Sequence, residues 1–102
     1  MTENSLQVII NEDIELFNLL EDTHQLAFVE GGIPLKYKFL IAMALDAVNG
    51  STSGVKYFIM QAMKAGATKE EVMQAIRITH HGFGVGSVYT ASSALKDILN
   101  GS

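Results

Sequence analysis

Three consecutive hydroxyl side chains, Ser51, Thr52 and Ser53, stand where the sequence predicts the start of a helix. The first backbone N–H groups of a helix have no partner within it, so hydroxyl groups beside them can help to bind an anion or a carboxylate. Helix capping by one or two of these side chains would explain them without a ligand. A serine nucleophile needs a neighbouring base, and the local sequence contains none. The triplet is therefore a candidate ligand-binding group.

Asp46 is the one charged residue in the apolar stretch 39–48. A carboxylate is costly to bury unless it is paired, and burial raises its pKa, which suits a general acid or base. An ion pair with Lys36, Lys38 or Lys56 would explain Asp46 without catalysis, as would hydrogen bonds to the N–H groups of the following helix. Asp46 is thus a candidate catalytic residue with a structural alternative.

His80 and His81 are adjacent, and adjacent residues on a helix point about 100° apart. The pair is therefore a poor metal clamp, for which a spacing of four residues is better suited, and we predict no metal or other cofactor. His80 continues the apolar stripe of Val72 and Ile76, so it is predicted to face the core.

Asp46 could exchange protons with His80 or His81 if the fold brings them together near Ser51, since histidine is the usual proton carrier at neutral pH. This arrangement would give an acid–base site with His80 and His81 as catalytic residues. The alternative is that the histidines, including His24 on the first helix, are core or interface residues.

Helices must position these side chains, because apolar residues recur at three- and four-residue steps and nowhere alternate for long. Asn11 or Asp13 is predicted to cap a first long helix that ends in the glycine- and proline-containing residues 30–34. A second helix, over about residues 35–48, is apolar on every side except at Asp46. Such a helix belongs at the centre of a bundle or at a subunit interface.

The remaining sequence predicts three more helices. The third begins at Ser51 or Ser53 and ends at Gly66, and the fourth begins with a capping box between Thr68 and Glu71. The last follows a glycine-rich bend. The residues predicted to face inward are Val55, Phe58, Ile59, Ala62, Val72, Ile76, His80, Val88, Ala91, Leu95 and Ile98. The prediction is an all-α bundle of about five helices, forming a single domain over residues 1–102.

The composition narrows the class of protein. Of 102 residues, 48% are hydrophobic, which is a high fraction for a small domain and predicts a homo-oligomer. The net charge is −4 and Arg77 is the only arginine, which disfavours nucleic-acid partners. No stretch is apolar enough to span a membrane and no signal peptide is evident, so a cytoplasmic location is expected. With no cysteine, the sequence has neither disulfides nor thiolate nucleophiles.

The order of motifs resembles the carboxymuconolactone decarboxylase / alkylhydroperoxidase D-like family over residues 35–99. The segments that carry the resemblance are "LKYKFLIAMALDAVNG", "GSTSGVKYFIMQAMKAGATKEEVMQAI" and "GFGVGSVYTASSAL", of which "KAGATKEEVMQAI" is the most specific. The resemblance implies an all-helical domain that assembles as trimers or hexamers. It also implies peroxide reduction or disulfide exchange in thiol-active members, and lactone decarboxylation in a branch without the cysteine pair.

Each catalytic position of the family differs in this chain. The resemblance places the family's glutamate at Phe39, its two cysteines at Ser51 and Gly54, and its histidine at Phe58. A serine hydroxyl is far less acidic than a thiol and cannot replace it without strong activation. We therefore predict a divergent, cysteine-free member without thiol peroxidase activity, which binds a small anionic ligand or serves a structural role.

Two alternatives remain open at the level of the sequence. One is an active non-thiol enzyme, a lyase such as a lactone decarboxylase or a hydrolase, that uses Asp46 with His80 or His81 near Ser51. The other is a subunit that pairs with a cysteine-bearing homologue.

Overall fold

The structure, a computed structural model, describes residues 3–100, and their side chains from residue 6. Helices are the only regular elements in this part of the chain, which confirms the all-α prediction. The six helices are α1 (Glu3–Glu12), α2 (Ile14–Phe28), α3 (Leu35–Val48), α4 (Thr52–Lys64), α5 (Lys69–Phe83) and α6 (Val85–Leu99). They form two compact units, residues 1–32 and residues 33–102.

The first unit contains the helix that the sequence prediction of about five missed. Asp13 does cap α2, since its side chain accepts a hydrogen bond from the Leu16 N–H at 3.0 Å. The residues before this cap form α1, whose half-buried Leu6, Ile9 and Ile10 follow the three- and four-residue spacing of a helix face. None of the residues of α2 is buried.

The second unit is a four-helix core built around α3, which packs against α4, α5 and α6. Its α3 has the predicted bounds, but only Leu40, Met43 and Ala47 are buried, so its apolar residues face the core on one side of the helix and stay exposed on the other. The fully buried side chains that fill the core include Met43, Val55, Ile59 and Val72.

Two local signals set the ends of the helices here. Gly66 follows α4 with φ of 103°, and the N–H of Ala67 donates to the Ala62 carbonyl at 2.9 Å, which is the Schellman arrangement. At the start of α5, Thr68 and Glu71 form the predicted capping box. These contacts explain why the sequence predicted both boundaries correctly.

Candidate functional site

The turn between α3 and α4 brings Asp46 to the start of α4. Gly50 has φ of 76° and reverses the chain after α3, which allows the Ser51 N–H to donate to the Asp46 carbonyl at 2.9 Å. Ser51 is the N-cap residue of α4, one of the two predicted positions, but its side chain does not make the predicted capping hydrogen bond. One short turn therefore holds the last part of α3 against the first turn of α4.

Gly54 lies in the first turn of α4, directly beside the side chain of Asp46 on α3. A Cβ atom on Gly54 would stand 2.8 Å from the Asp46 Cγ and 2.9 Å from the Ser51 Oγ, and the Asp46 Oδ2 would be closer still. These separations are too short for a real Cβ, so only glycine leaves room for the carboxylate in this position. The Asp46 carboxylate and the Ser51 hydroxyl thus both lie close to Gly54.

The Asp46 carboxyl is half-buried. This burial raises the pKa of the carboxyl above its ordinary value, because removal from water disfavours the charged form. Lys36, one of the suggested ion-pair partners, instead binds Glu71, with its Nζ 3.0 Å from Oε2. The position can therefore hold a proton more readily than an exposed aspartate does.

The hydroxyl triplet does not supply the cap of α4 at its N-cap position. The Ser51 side chain makes no capping hydrogen bond to α4. Ser51 and Thr52 are half-buried, and Ser53 is exposed. By contrast, Thr68 caps α5 by accepting from the Glu71 N–H at 3.0 Å. The start of α4 therefore lacks the side-chain cap that α5 has.

Phe39 and Phe58, at the positions where the resemblance places a glutamate and a histidine, meet in space. Their rings stack with centroids 6.2 Å apart and an interplanar angle of 29°. Tyr57 lies edge-on to Phe58 at 5.1 Å. This part of the α3–α4 interface is aromatic, and neither phenyl ring can transfer a proton.

The predicted inward orientation of His80 is wrong. His80 and His81 are both exposed, and Thr79 is the buried residue of this turn. Thr79 and His80 lie three and four residues after Ile76, so helical spacing allows either of them to continue its buried stripe. The Thr79 hydroxyl can be buried because it donates to the Ala75 carbonyl at 2.8 Å. Among the described side chains, no hydrogen bond or ion pair joins Asp46 to either histidine.

His24 also lies on the surface, where its ring is 4.8 Å from that of Phe28. Within the described part of the chain, no group of three His, Asp or Glu side chains could share a metal ion. None of the helices there has both the length and the hydropathy that crossing a bilayer requires.

A groove between α3 and α5 was not predicted from the sequence. Its volume is about 310 Å³. It is lined by Tyr37, Leu40, Ile41, Ala44, Glu71, Gln74, Ala75, Ile78 and Thr79. The apolar residues of α3 that do not face the core indicated part of this surface, but the groove also depends on how α5 packs beside α3.

A polar cluster lies at one end of this groove. The Lys36 ammonium and the Tyr37 hydroxyl both bind the Glu71 carboxylate, at 3.0 Å and 3.2 Å from Oε2. The Thr68 N–H donates to Oε1 at 2.9 Å. This hydrogen bond and the lysine hold the pKa of Glu71 below its usual value, and the bond to Glu71 raises the pKa of Lys36.

Both the sequence and the fold of this chain are similar to those of known proteins. The chain is similar to the crystal structure of a candidate carboxymuconolactone decarboxylase from Burkholderia xenovorans LB400, with a TM-score of 0.77 and 22% sequence identity. The match covers 100% of this chain and 85% of that one, and at this identity it bears on the fold. No curated protein matches the sequence. A model of the carboxymuconolactone decarboxylase family matches residues 15–97. The chain therefore belongs to the carboxymuconolactone decarboxylase family.

Proposed function

We propose that this chain is a divergent family member without thiol redox activity, which forms a homo-oligomer and binds a small anionic ligand where α4 begins. The observation that carries this proposal is that the first turn of α4 has no side-chain cap from Ser51, while the Asp46 carboxylate fills the space beside Gly54. The space that a second cysteine side chain would need at residue 54 is filled by a carboxylate. The proposed domain spans residues 1–102, because the family match runs through both compact units.

The absence of cysteine supports the loss of thiol chemistry. Peroxide reduction in thiol-dependent enzymes needs a thiolate as the nucleophile. At the corresponding positions this chain has a hydroxyl at Ser51 and no side chain at Gly54. Phe39 and Phe58 stack where a proton-transferring pair would be needed.

Ligand binding is supported by the state of the first turn of α4. The backbone N–H groups of residues 52–54 have no partner inside the helix, and the Ser51 hydroxyl does not cap them. These groups can bind an anion, which the positive end of the helix dipole also favours. Asp46 opposes an anion when ionised and ceases to do so when protonated. Because burial raises the pKa of Asp46, affinity should rise as the pH falls towards that pKa.

A titration with sulfate tests this site, since sulfate stays fully ionised across the useful pH range. We expect the amide resonances of residues 52–54 to shift saturably in ¹⁵N–¹H spectra, with tighter binding at pH 5 than at pH 7. The amide of Glu71 is an internal control, because it already donates to the Thr68 hydroxyl in the capping box. Asp46→Asn should bind sulfate tightly at both pH values. An Asp46→Asn variant that binds with the affinity and pH dependence of the wild type would contradict the proposal.

The redox part of the proposal has its own test. Purified protein with dithiothreitol should consume tert-butyl hydroperoxide no faster than dithiothreitol alone does. A rate above this background that scales with protein concentration and survives repurification would show that the proposal is wrong.

The homo-oligomer is supported by the apolar surface of α3. Tyr37, Ile41, Leu45 and Val48 are all exposed, with Leu45 60% accessible. Exposed apolar residues of this number on one helix are typical of an interaction surface. We expect light scattering to give the mass of a trimer or hexamer. A monomer at micromolar concentration would exclude this part of the proposal.

A second candidate function is a non-thiol lyase or hydrolase. It is favoured by the contact of Asp46 with the start of α4 and by the burial that raises the pKa of its carboxyl, which would allow it to act as a general acid. His80 or His81 would be the second proton carrier, although both lie exposed on α5. Release of carbon dioxide from a carboxylated lactone should then depend on Asp46 and on one of these histidines. Activity that persists in Asp46→Asn would exclude this candidate.

A further inference from the structure

We propose that the leucine face of α2 in one copy of this chain packs against the exposed α3 surface of a second copy. The leucine face consists of Leu16, Leu19, Leu20 and Leu26. The α3 surface consists of Tyr37, Ile41, Leu45 and Val48. This inference rests on the proposed homo-oligomer and names the segment that covers its apolar surface.

The first compact unit, residues 1–32, lacks a core of its own. None of the described side chains of residues 6–32 is buried. The leucine face recurs at helical spacing along one side of α2, and its members are 39–78% exposed in the single chain. A segment of this length is too short to bury enough apolar surface alone. The leucine face therefore needs a partner surface that the single chain does not provide.

The charges of the two compact units are complementary. Residues 1–32 contain seven of the eleven acidic residues and no lysine or arginine, whereas residues 33–102 contain all seven basic residues. The formal net charges are therefore −7 and +3. Opposite charges on two surfaces favour their association, and like charges oppose it. A second copy of residues 1–32 would thus be repelled, and residues 33–102 of another copy are the matching partner.

Charged side chains also lie beside the two apolar surfaces. Glu15 and Asp22 are exposed, and each lies one helical turn before a member of the leucine face. On the second unit, the exposed Arg77 is adjacent to Ile78, which lines the groove beside the α3 surface together with Ile41. The acidic flank of α2 therefore has a basic counterpart on α5.

The proposed trimer also requires two different surfaces. A surface that meets its own copy produces a dimer, whereas a closed ring of three forms when one surface meets a different one on the next copy. The leucine face supplies that second surface. The pairing of α2 with α3 therefore accounts for a ring, which an α3-to-α3 contact does not.

Substitution of each surface in the full chain tests the contact. The leucine-face variant carries Leu19→Glu and Leu26→Glu, and the α3-surface variant carries Ile41→Glu and Leu45→Glu. These four side chains are 49–78% exposed, so the fold should tolerate the changes. We expect each variant to associate at least about tenfold more weakly than the wild type in sedimentation velocity.

A double substitution on α6 is the matched control. Val85→Glu with Tyr89→Glu adds the same charge at side chains that are 57% and 71% exposed and belong to neither surface. This control should assemble as the wild type does.

A mixture of the two variants identifies which surfaces meet. The leucine-face variant keeps an intact α3 surface, and the α3-surface variant keeps an intact leucine face. Their mixture should contain heterodimers at concentrations at which each variant alone is monomeric. An α3-to-α3 contact gives no such heterodimer, and neither does packing of the leucine face within its own copy.

Salt dependence tests the contribution of charge. Glu15→Gln with Asp22→Asn should weaken association about fivefold at about 0.05 M NaCl. The difference should vanish at about 0.5 M NaCl, where exposed charges are screened. Equal association of this variant and the wild type at low salt would contradict the proposed pairing of charges.

Two further results would overturn this inference and leave the homo-oligomer standing. One is an oligomeric wild type whose dissociation constant is unchanged in the leucine-face variant, or a mixture without heterodimers. The other is an equal loss of association in the α6 control, with helix content unchanged by circular dichroism. A monomeric wild type would instead exclude the homo-oligomer itself, and this inference with it.

Discussion

Replacement of Gly54 by alanine tests the geometry of the α3–α4 turn most directly. In an unobstructed helix, a change from glycine to alanine stabilises the protein by about 1 kcal/mol, because alanine has the higher helix propensity. At Gly54 the new Cβ would meet the Asp46 carboxylate and the Ser51 Oγ. The side chains must then move, which costs about 0.5–1.5 kcal/mol if one of them leaves its preferred rotamer and about 1–3 kcal/mol if the helices are overpacked.

The two effects oppose each other, and the cost of displacement should be the larger. We expect Gly54→Ala to destabilise the protein by up to about 1 kcal/mol in urea unfolding followed by circular dichroism. Gly82→Ala is the matched control. Gly82 also lies in a helix, its φ is not positive, and a Cβ there would meet nothing within 4 Å. This control should gain about 0.5–1 kcal/mol.

A double-mutant cycle identifies Asp46 as the obstacle. With Asp46→Ala as the background, the Gly54→Ala change should become stabilising, which gives a coupling energy of about 1–2 kcal/mol. All samples must have the same protein concentration, because the stability of an oligomer depends on it. A Gly54→Ala variant as stable as Gly82→Ala, with a coupling below about 0.5 kcal/mol, would refute the proposed contact.

Three further predictions concern the two helix starts. Asp46→Asn should stabilise the protein relative to the wild type at pH 7 and lose this advantage in acid. The raised pKa of Asp46 stabilises the wild-type fold at low pH, and this stabilisation is lost as the pH rises through the folded-state pKa. Glu71→Gln should show the opposite trend and destabilise the protein at pH 7. The lowered pKa of Glu71 stabilises the fold at pH values above the unfolded-state pKa, and this stability is lost as the pH falls through the folded-state pKa. Urea unfolding midpoints at pH 4 and pH 7 check both variants. Thr68→Ala should cost about 1 kcal/mol in the same assay, whereas Ser51→Ala should cost little, because only Thr68 makes a capping hydrogen bond.

Boundaries set by local chemistry could be predicted from the sequence. The capping box of Thr68 and Glu71 and the glycine turn at Gly66 involve residues at most three or four positions apart. Ser51 also stands at the start of α4, but without the side-chain hydrogen bond for which a serine was expected there. The extra helix α1 was missed, although Leu6, Ile9 and Ile10 carry its spacing, because the prediction took Asn11 or Asp13 as the start of the first helix.

The contacts that define the candidate sites lie between helices, and local patterns do not determine them. Either Thr79 or His80 could continue the buried stripe of α5, and the structure buries the residue whose hydroxyl finds a partner in its own helix. Likewise, the sequence marked Asp46 as unusual but did not predict that Gly54 would accommodate its carboxylate. The groove needs the relative placement of α3 and α5, which periodicity does not give.

The substitutions at the four family positions are consistent with one another in space. Where the resemblance places a glutamate and a histidine, Phe39 and Phe58 stack, so each ring fills space beside the other. Where it places the second cysteine, Gly54 leaves room that the Asp46 carboxylate occupies. Restoring a cysteine pair by changing Ser51 and Gly54 alone would therefore force a side chain against that carboxylate. On our proposal, recovery of thiol chemistry also requires a smaller residue at position 46 and a proton carrier at Phe58, so the turn is a repacked site rather than an intact one that lacks only its sulfur atoms.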